Sequence, residues 1–178
     1  MKFKNNYSLS HQKNKKSIVK PLVVLLLIST IILSCSKDEN STELQTLEKN
    51  TVVFNSLEAE ILSLVNIHRE SLGLTRVSVL SPAYLEANGH TKYMIAQGKT
   101  SHDNFDIRSK NLMTTVSAKL ILENVAAGYP SAENVIKAWL GSDSHRKNIE
   151  NPSVQYMGIS VQQNKSGINF FTQIFIGK

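Results

Sequence analysis

Residues 156–176 read YMGISVQQ, then NKSG, then INFFTQIFI. Two runs rich in β-branched and aromatic residues, Tyr156 to Gln163 and Ile168 to Ile176, flank the polar, glycine-containing turn Asn164-Lys165-Ser166-Gly167. That pattern predicts a β-hairpin. Upstream, Lys119 to Ala126 reads as a further strand or extended segment, and Arg76-Val77-Ser78-Val79 as a short one. The remaining segments carry a helical period. Leu57, Ile61, Leu64, Val65 and His68 recur at that spacing after Ser56, a residue able to cap, with Gly73 just past the end at Leu72. Ser81-Pro82 opens a second helix that reaches Gln97 and stops at Gly98. Leu85, Tyr93 and Met94 are expected to point inward there, and Gly89 to mark close packing, since an interior glycine costs about 1 kcal/mol against alanine. Residues 99–118 read as mostly loop, with a short helix near Asp106 to Met113. Ser131 caps a last helix through Leu140, whose apolar face holds Val135, Ile136 and Trp139. Helices around a small, mainly antiparallel sheet make an α+β domain.

The front of the chain has a different character. Lys2, Lys4, Lys13, Lys15, Lys16 and Lys20 precede an apolar run from Leu22 to Leu33. A bilayer-spanning helix needs about 20 apolar residues, so this shorter run reads as the core of a secretory signal. An uncleaved signal anchor is the alternative. The run ends at Ile32-Leu33-Ser34-Cys35, which resembles a bacterial lipobox, and Cys35 is the only cysteine of the chain. This divides the sequence into a signal peptide at 1–34, a lipidated cysteine and flexible tether at 35–52, and a folded domain at 53–178. Stable anchoring takes two or more acyl chains, as a diacylated cysteine supplies. The tether opens with Ser36-Lys37-Asp38-Glu39, similar to the tag that sends some lipoproteins of Bacteroidetes to the cell surface. The expected location is therefore the cell envelope, as an outer-membrane lipoprotein with possible surface display.

Removal of the signal changes the charge argument. The chain has 20 basic and 14 acidic residues. Six basic residues and no acid lie before Cys35, which leaves 14 against 14. The basic excess belongs to export, and nucleic acid drops out as a partner. With Cys35 lipidated, no thiol remains for a disulfide, a thiolate ligand or a nucleophile. A domain of about 125 residues can hold together by packing alone.

Candidate chemistry lies in four strings: Ser101-His102, Glu123-Asn124-Val125-Ala126, Trp139 through Ser142-Asp143-Ser144-His145-Arg146, and Phe171-Thr172-Gln173-Ile174-Phe175. Two imidazoles and a carboxylate could hold a zinc ion with an open fourth position, or act as acid and base. Structural roles compete with both. Glu123 could accept backbone N–H groups and pin neighbouring loops, and His145 could be a helix-end dipole partner or a packed core residue. A Ser-His-Asp arrangement drawn from Ser101, Ser142 or Ser144 with Asp103 or Asp143 lacks a Gly-x-Ser-x-Gly elbow. His68 and His90 read as packing or surface residues, and the aromatic residues of the last strand as core.

These residues resemble the bacterial branch of the CAP superfamily, the SCP or PR-1-like extracellular domain. The match opens with Leu64-Val65-Asn66-Ile67-His68-Arg69 and Gly73-Leu74 and runs through the four strings. It also takes in Gly128, Ile149, Asn151-Pro152 and Met157-Gly158-Ile159, and so covers essentially all of residues 56–177. The resemblance implies an α-β-α sandwich with a central cleft. In that family the commonest cleft holds two His and two Glu, which in some members bind a divalent metal such as zinc. His102 and Glu123 match the first of each. Ser142 stands where the second Glu is usual and Phe170 where the second His is usual, with His145 as a possible substitute. The expectation is a monomeric, lipid-anchored domain whose cleft, at His102, Glu123 and His145, binds a ligand or a divalent metal. The alternatives are a hydrolase of peptide or cell-envelope material, with Glu123 and His145 as catalytic groups, and an interaction scaffold with a vestigial cleft.

Overall fold

The computed structural model describes residues 52–178; the expected signal peptide, Cys35 and the expected tether up to Thr51 lie outside the described residues. Five helices and four strands follow in the order α1 (Ser56–Ser71), β1 (Ser78–Val79), α2 (Ser81–Gln97), α3 (Phe105–Val116), β2 (Leu120–Ala127), α4 (Ala132–Leu140), α5 (Asp143–Ile149), β3 (Tyr156–Gln163) and β4 (Asn169–Gly177). The sheet order is β1-β3-β4-β2. The expected hairpin is β3–β4, antiparallel, with Val161 opposite Phe171. β2 runs antiparallel to β4 on its other side, and β1 adds one short parallel pairing to β3. The sheet is thus mixed but mainly antiparallel, with β4 in its interior and β2 along one edge.

Alternation along the strands divides the core in two. Met157, Ile159 and Val161 of β3 and Phe171 and Phe175 of β4 pack with Ile61 and Val65 of α1 and Val135, Ile136 and Trp139 of α4. On the opposite face, Ile121, Ile174 and Ile176 meet Ala83 and Ala87 of α2 and Leu112 of α3. Helices on both faces of one sheet complete the α-β-α sandwich. No helix among the described residues is long and apolar enough to cross a membrane.

Several local readings change. Asn55, not Ser56, caps α1: its side chain accepts from the Glu58 N–H while Glu58 accepts from the Asn55 N–H. Glu three residues beyond the cap closes this reciprocal box, and the second Glu58 oxygen takes the Val161 N–H of β3. Leu80 occupies the cap position of α2, so Ser81 falls inside the helix. Leu85 is exposed, and the inward face of α2 is Ala83, Ala87, His90, Thr91 and Met94. Gly89 faces open space. The close approach is at Gly158 of β3, where a Cβ would run into the Ala83–Tyr84 backbone. The helix after residue 104 is longer than expected, and His145, read as a helix-end or core residue, sits within α5. α5 is only seven residues and buries one side chain, Ile149, so it leaves no periodic apolar signal.

Candidate functional site

The antiparallel register places Glu123 and Asn124 on opposite faces of the edge strand β2. Glu123 turns toward α3. Its carboxylate receives Arg108 Nε at 2.9 Å on Oε2, and Arg108 Nη2 at 2.8 Å on Oε1. His102 Nδ1 also bonds Oε1, at 2.8 Å. The Glu123 and Arg108 side chains are 1% and 7% exposed, so this pair is buried, whereas His102 is 52% exposed. Burial pushes the Glu123 carboxyl up, but the hydrogen bonds from His102 and Arg108 and the Arg108 charge outweigh it and hold it below the ordinary carboxylate range. An ionised Glu123 can only accept, so His102 donates from Nδ1.

The segment bearing His102 is fixed from two further sides. Arg108 Nη1 donates to the Asp103 carbonyl at 2.7 Å, and His90 Nε2 donates to the Ser101 carbonyl at 2.7 Å. His90 is buried, and burial pushes its pKa down. Arg108 was invisible to sequence reasoning. Its partner lies on another element, and nothing in the local pattern distinguishes it from a surface arginine.

On the other face, Asn124 Nδ2 donates to Gln173 Oε1 at 3.0 Å and to the His145 carbonyl at 3.2 Å. Asn148 Nδ2 bridges Asn124 Oδ1 and the Glu123 carbonyl, at 2.8 and 3.1 Å. Asn124, Asn148 and Gln173 thus tie α5 to the sheet and set where His145 stands. Burial pushes the His145 pKa down, and the nearby His102 adds to the effect.

A cleft of about 650 Å³ crosses the β2 edge between the two helical layers. Its walls include Lys99 and Thr100 after α2, Val125 to Tyr129, Trp139, Ser142, His145 and Phe170. The two positions that depart from the family's four-residue cluster, Ser142 and Phe170, therefore both line it. His145 lines the cleft; His102 and Glu123 are not among its lining residues.

The donor set does not make a ready chelate. Both oxygens of Glu123 are taken, and a divalent ion placed there would meet the Arg108 guanidinium. The hydroxyl candidates are engaged elsewhere. Ser101 Oγ accepts from the Asp103 N–H, and Ser142 and Ser144 bond each other at 3.3 Å. Asp143 pairs with Arg146, and Asp103 takes the Tyr93 hydroxyl. None of these hydroxyls hydrogen-bonds His102 or His145 among the described residues.

Comparison with known proteins agrees with this architecture. The model of the cysteine-rich secretory protein family, CAP, matches residues 62–175. The uncharacterized protein YkwD of Bacillus subtilis (strain 168) is 30% identical over 130 residues, covering 70% of this chain and 48% of that protein. The uncharacterized membrane protein YlbC of the same organism is 26% identical over 132 residues, covering 72% of this chain and 37% of its own length. The chain thus spans less than half the length of the curated relatives it matches. Among solved structures, an extracellular SCP-domain protein of Bacillus anthracis superposes with TM-score 0.62 at 29% identity, over 74% of this chain and 43% of that one. An outer surface protein from Borrelia burgdorferi gives 0.62 at 19% identity, over 72% of this chain and 98% of that one, a likeness of fold alone. On the family match across residues 62–175, the chain belongs to the cysteine-rich secretory protein (CAP) family, although its sequence holds a single cysteine.

Proposed function

We propose that this is an extracytoplasmic, lipid-anchored CAP domain that binds a ligand in the cleft across the β2 edge, without turnover. The carrying observation is the cleft itself. A concavity of about 650 Å³, walled by aromatic and small apolar side chains with a few polar groups, has the size and chemistry of a small-ligand site. His145 contributes a polar group inside it. His102 lies outside its lining, its Nδ1 fixed by Glu123, which acts as a positioning residue. The Arg108 clamp on Glu123 disfavours direct metal ligation there. The engaged hydroxyls disfavour a serine hydrolase.

Location and anchoring rest on the signal, the lipobox-like Ile32-Leu33-Ser34-Cys35 and the neutral mature charge. The likeness to an extracellular SCP-domain protein of Bacillus anthracis supports export. Cys35→Ser is expected to move the protein from the membrane fraction to the soluble one; retention in the membrane would refute lipidation.

Trp139 is the only tryptophan of the chain and lines the cleft, so its emission reports occupancy. The full chain in detergent is titrated with N-acetyl amino-acid amides, short oligosaccharides and zinc chloride. An organic fragment should shift the emission saturably, bind more weakly to His145→Ala, and be recovered intact. Saturation by zinc alone, lost in His102→Ala and His145→Ala, would overturn this reading in favour of a metal site. Cleaved fragments would overturn it in favour of a hydrolase, and no response at all in favour of a vestigial cleft.

A further inference from the structure

The cleft runs along a strand edge, and the hydrogen-bonding groups of that edge are unevenly used. Gly128 N–H donates to the Asn169 carbonyl, and Asn124 and Ala126 stand opposite Gln173 and Phe171. Even-numbered residues of β2 therefore direct their backbone groups to β4, and Glu123, Val125 and Ala127 direct theirs outward. The outward carbonyl of Glu123 accepts from Asn148 Nδ2, and that of Val125 from Trp139 Nε1 at 3.3 Å. There the capping stops. The outward N–H of Val125 and both outward groups of Ala127 have no hydrogen-bond partner among the described residues.

Unpaired backbone groups on an edge strand are a template for another strand, and proteins ordinarily cover or blunt them. Here α4 and α5 cover the edge as far as Val125, and the cleft opens at Val125 to Gly128. An extended peptide satisfies such groups with its own main chain, while alternate side chains enter the flanking walls. The lining also selects charge. Lys99 is exposed at the rim, and no Asp or Glu is among the lining residues. Tyr129 and Ile168 offer apolar surface for the other row of side chains, backed by the buried Trp139 and Phe170.

We propose that the β2 edge at Val125–Ala127 takes up an extended acidic peptide as an additional strand, with Lys99 pairing its carboxylates. This rests on the reading of the cleft as a ligand site and names its ligand class. Recognition through the main chain tolerates many side chains, so a simple alternating probe suffices.

The test uses the peptide acetyl-Val-Glu-Val-Glu-Val-amide, its analogue N-methylated at alternate residues, and acetyl-Val-Lys-Val-Lys-Val-amide, each with the full chain in detergent. Amide exchange by NMR and affinity by Trp139 emission are the readouts. The acidic peptide should slow exchange at Val125 and Ala127. The N-methylated analogue should bind at least about tenfold more weakly, the value of roughly one net hydrogen bond. Lys99→Glu should reverse the preference between the acidic and the basic peptide. Ala127→Pro, which removes one outward N–H from an edge where proline is tolerated, should weaken the acidic peptide while melting stays unchanged. If Ala127→Pro does not fold, the N-methylated peptide on the parent protein decides. Equal binding of the N-methylated peptide, or occupancy of the cleft without protection of Ala127, would overturn the strand proposal and leave the ligand site standing. No binding of the acidic peptide at millimolar concentration would overturn it too, and the fragment titration then reports separately on the cleft.

Discussion

Glu123, with a side chain 1% exposed between a guanidinium and an imidazole, shows how a partner redefines a residue. From sequence it was a candidate ligand and catalytic carboxylate; with Arg108 on both oxygens it is a buried ion-pair member that orients His102. Removing one partner strands the other charge, so Arg108→Met should cost about 3–5 kcal/mol in urea denaturation at pH 7. Arg108→Met with Glu123→Gln should recover part of that loss, because no unpaired charge remains. The titrating groups mostly push stability one way. The Glu123 pKa is depressed in the fold, so its contribution is full above the unfolded value of 4.5 and is lost as pH falls below it. His90 and His145 are also depressed, so the unfolded chain takes up protons first as pH drops below 6.5. Glu58 is raised by burial and partly offsets the carboxylate stage. The urea midpoint should begin to fall below pH 6.5 and fall more steeply below 4.5. A midpoint that rises on acidification would contradict these assignments.

Among the elements, the hairpin, β2 and the α4 cap at Ser131 were legible because alternation, turn residues and capping side chains are local signals. α5 was not, since seven mostly polar residues carry no period. α2 shows a finer limit. Its inward face was expected at Leu85, Tyr93 and Met94; Met94 is buried, but Leu85 is exposed and Ala83 and Ala87 face the sheet, because Gly158 lets the helix backbone rest directly on β3. The two glycines therefore give opposite tests. Gly158→Ala inserts a Cβ into the Ala83–Tyr84 backbone and should destabilise by about 1–3 kcal/mol or more. Gly89→Ala meets nothing within 4 Å and should stabilise by about 0.4–1 kcal/mol through the unfolded chain. Thermal melts of both variants check the pair.

For the whole domain, the residue pattern gave an α+β class, and the ordered motifs carried the family resemblance that implies the sandwich and its cleft. The layout of the site was not, because adjacent residues of one edge strand serve opposite layers. Glu123 works with α3, and Asn124 with α5 and the position of His145. The cleft crosses that edge and is lined by His145, whereas His102 is held by Glu123 on the α3 side, so the two imidazoles do not share one carboxylate. The most direct measurement is an amide chemical-shift map of the isotopically labelled full chain in detergent, titrated with whichever fragment shifts Trp139 emission. Saturable shifts centred on Lys99–Thr100, Val125–Tyr129 and Ser142–His145 are the expected result. Shifts centred on the α2–α3 face near Glu86 and Lys110, with none along Val125–Tyr129, would contradict the cleft as the binding site.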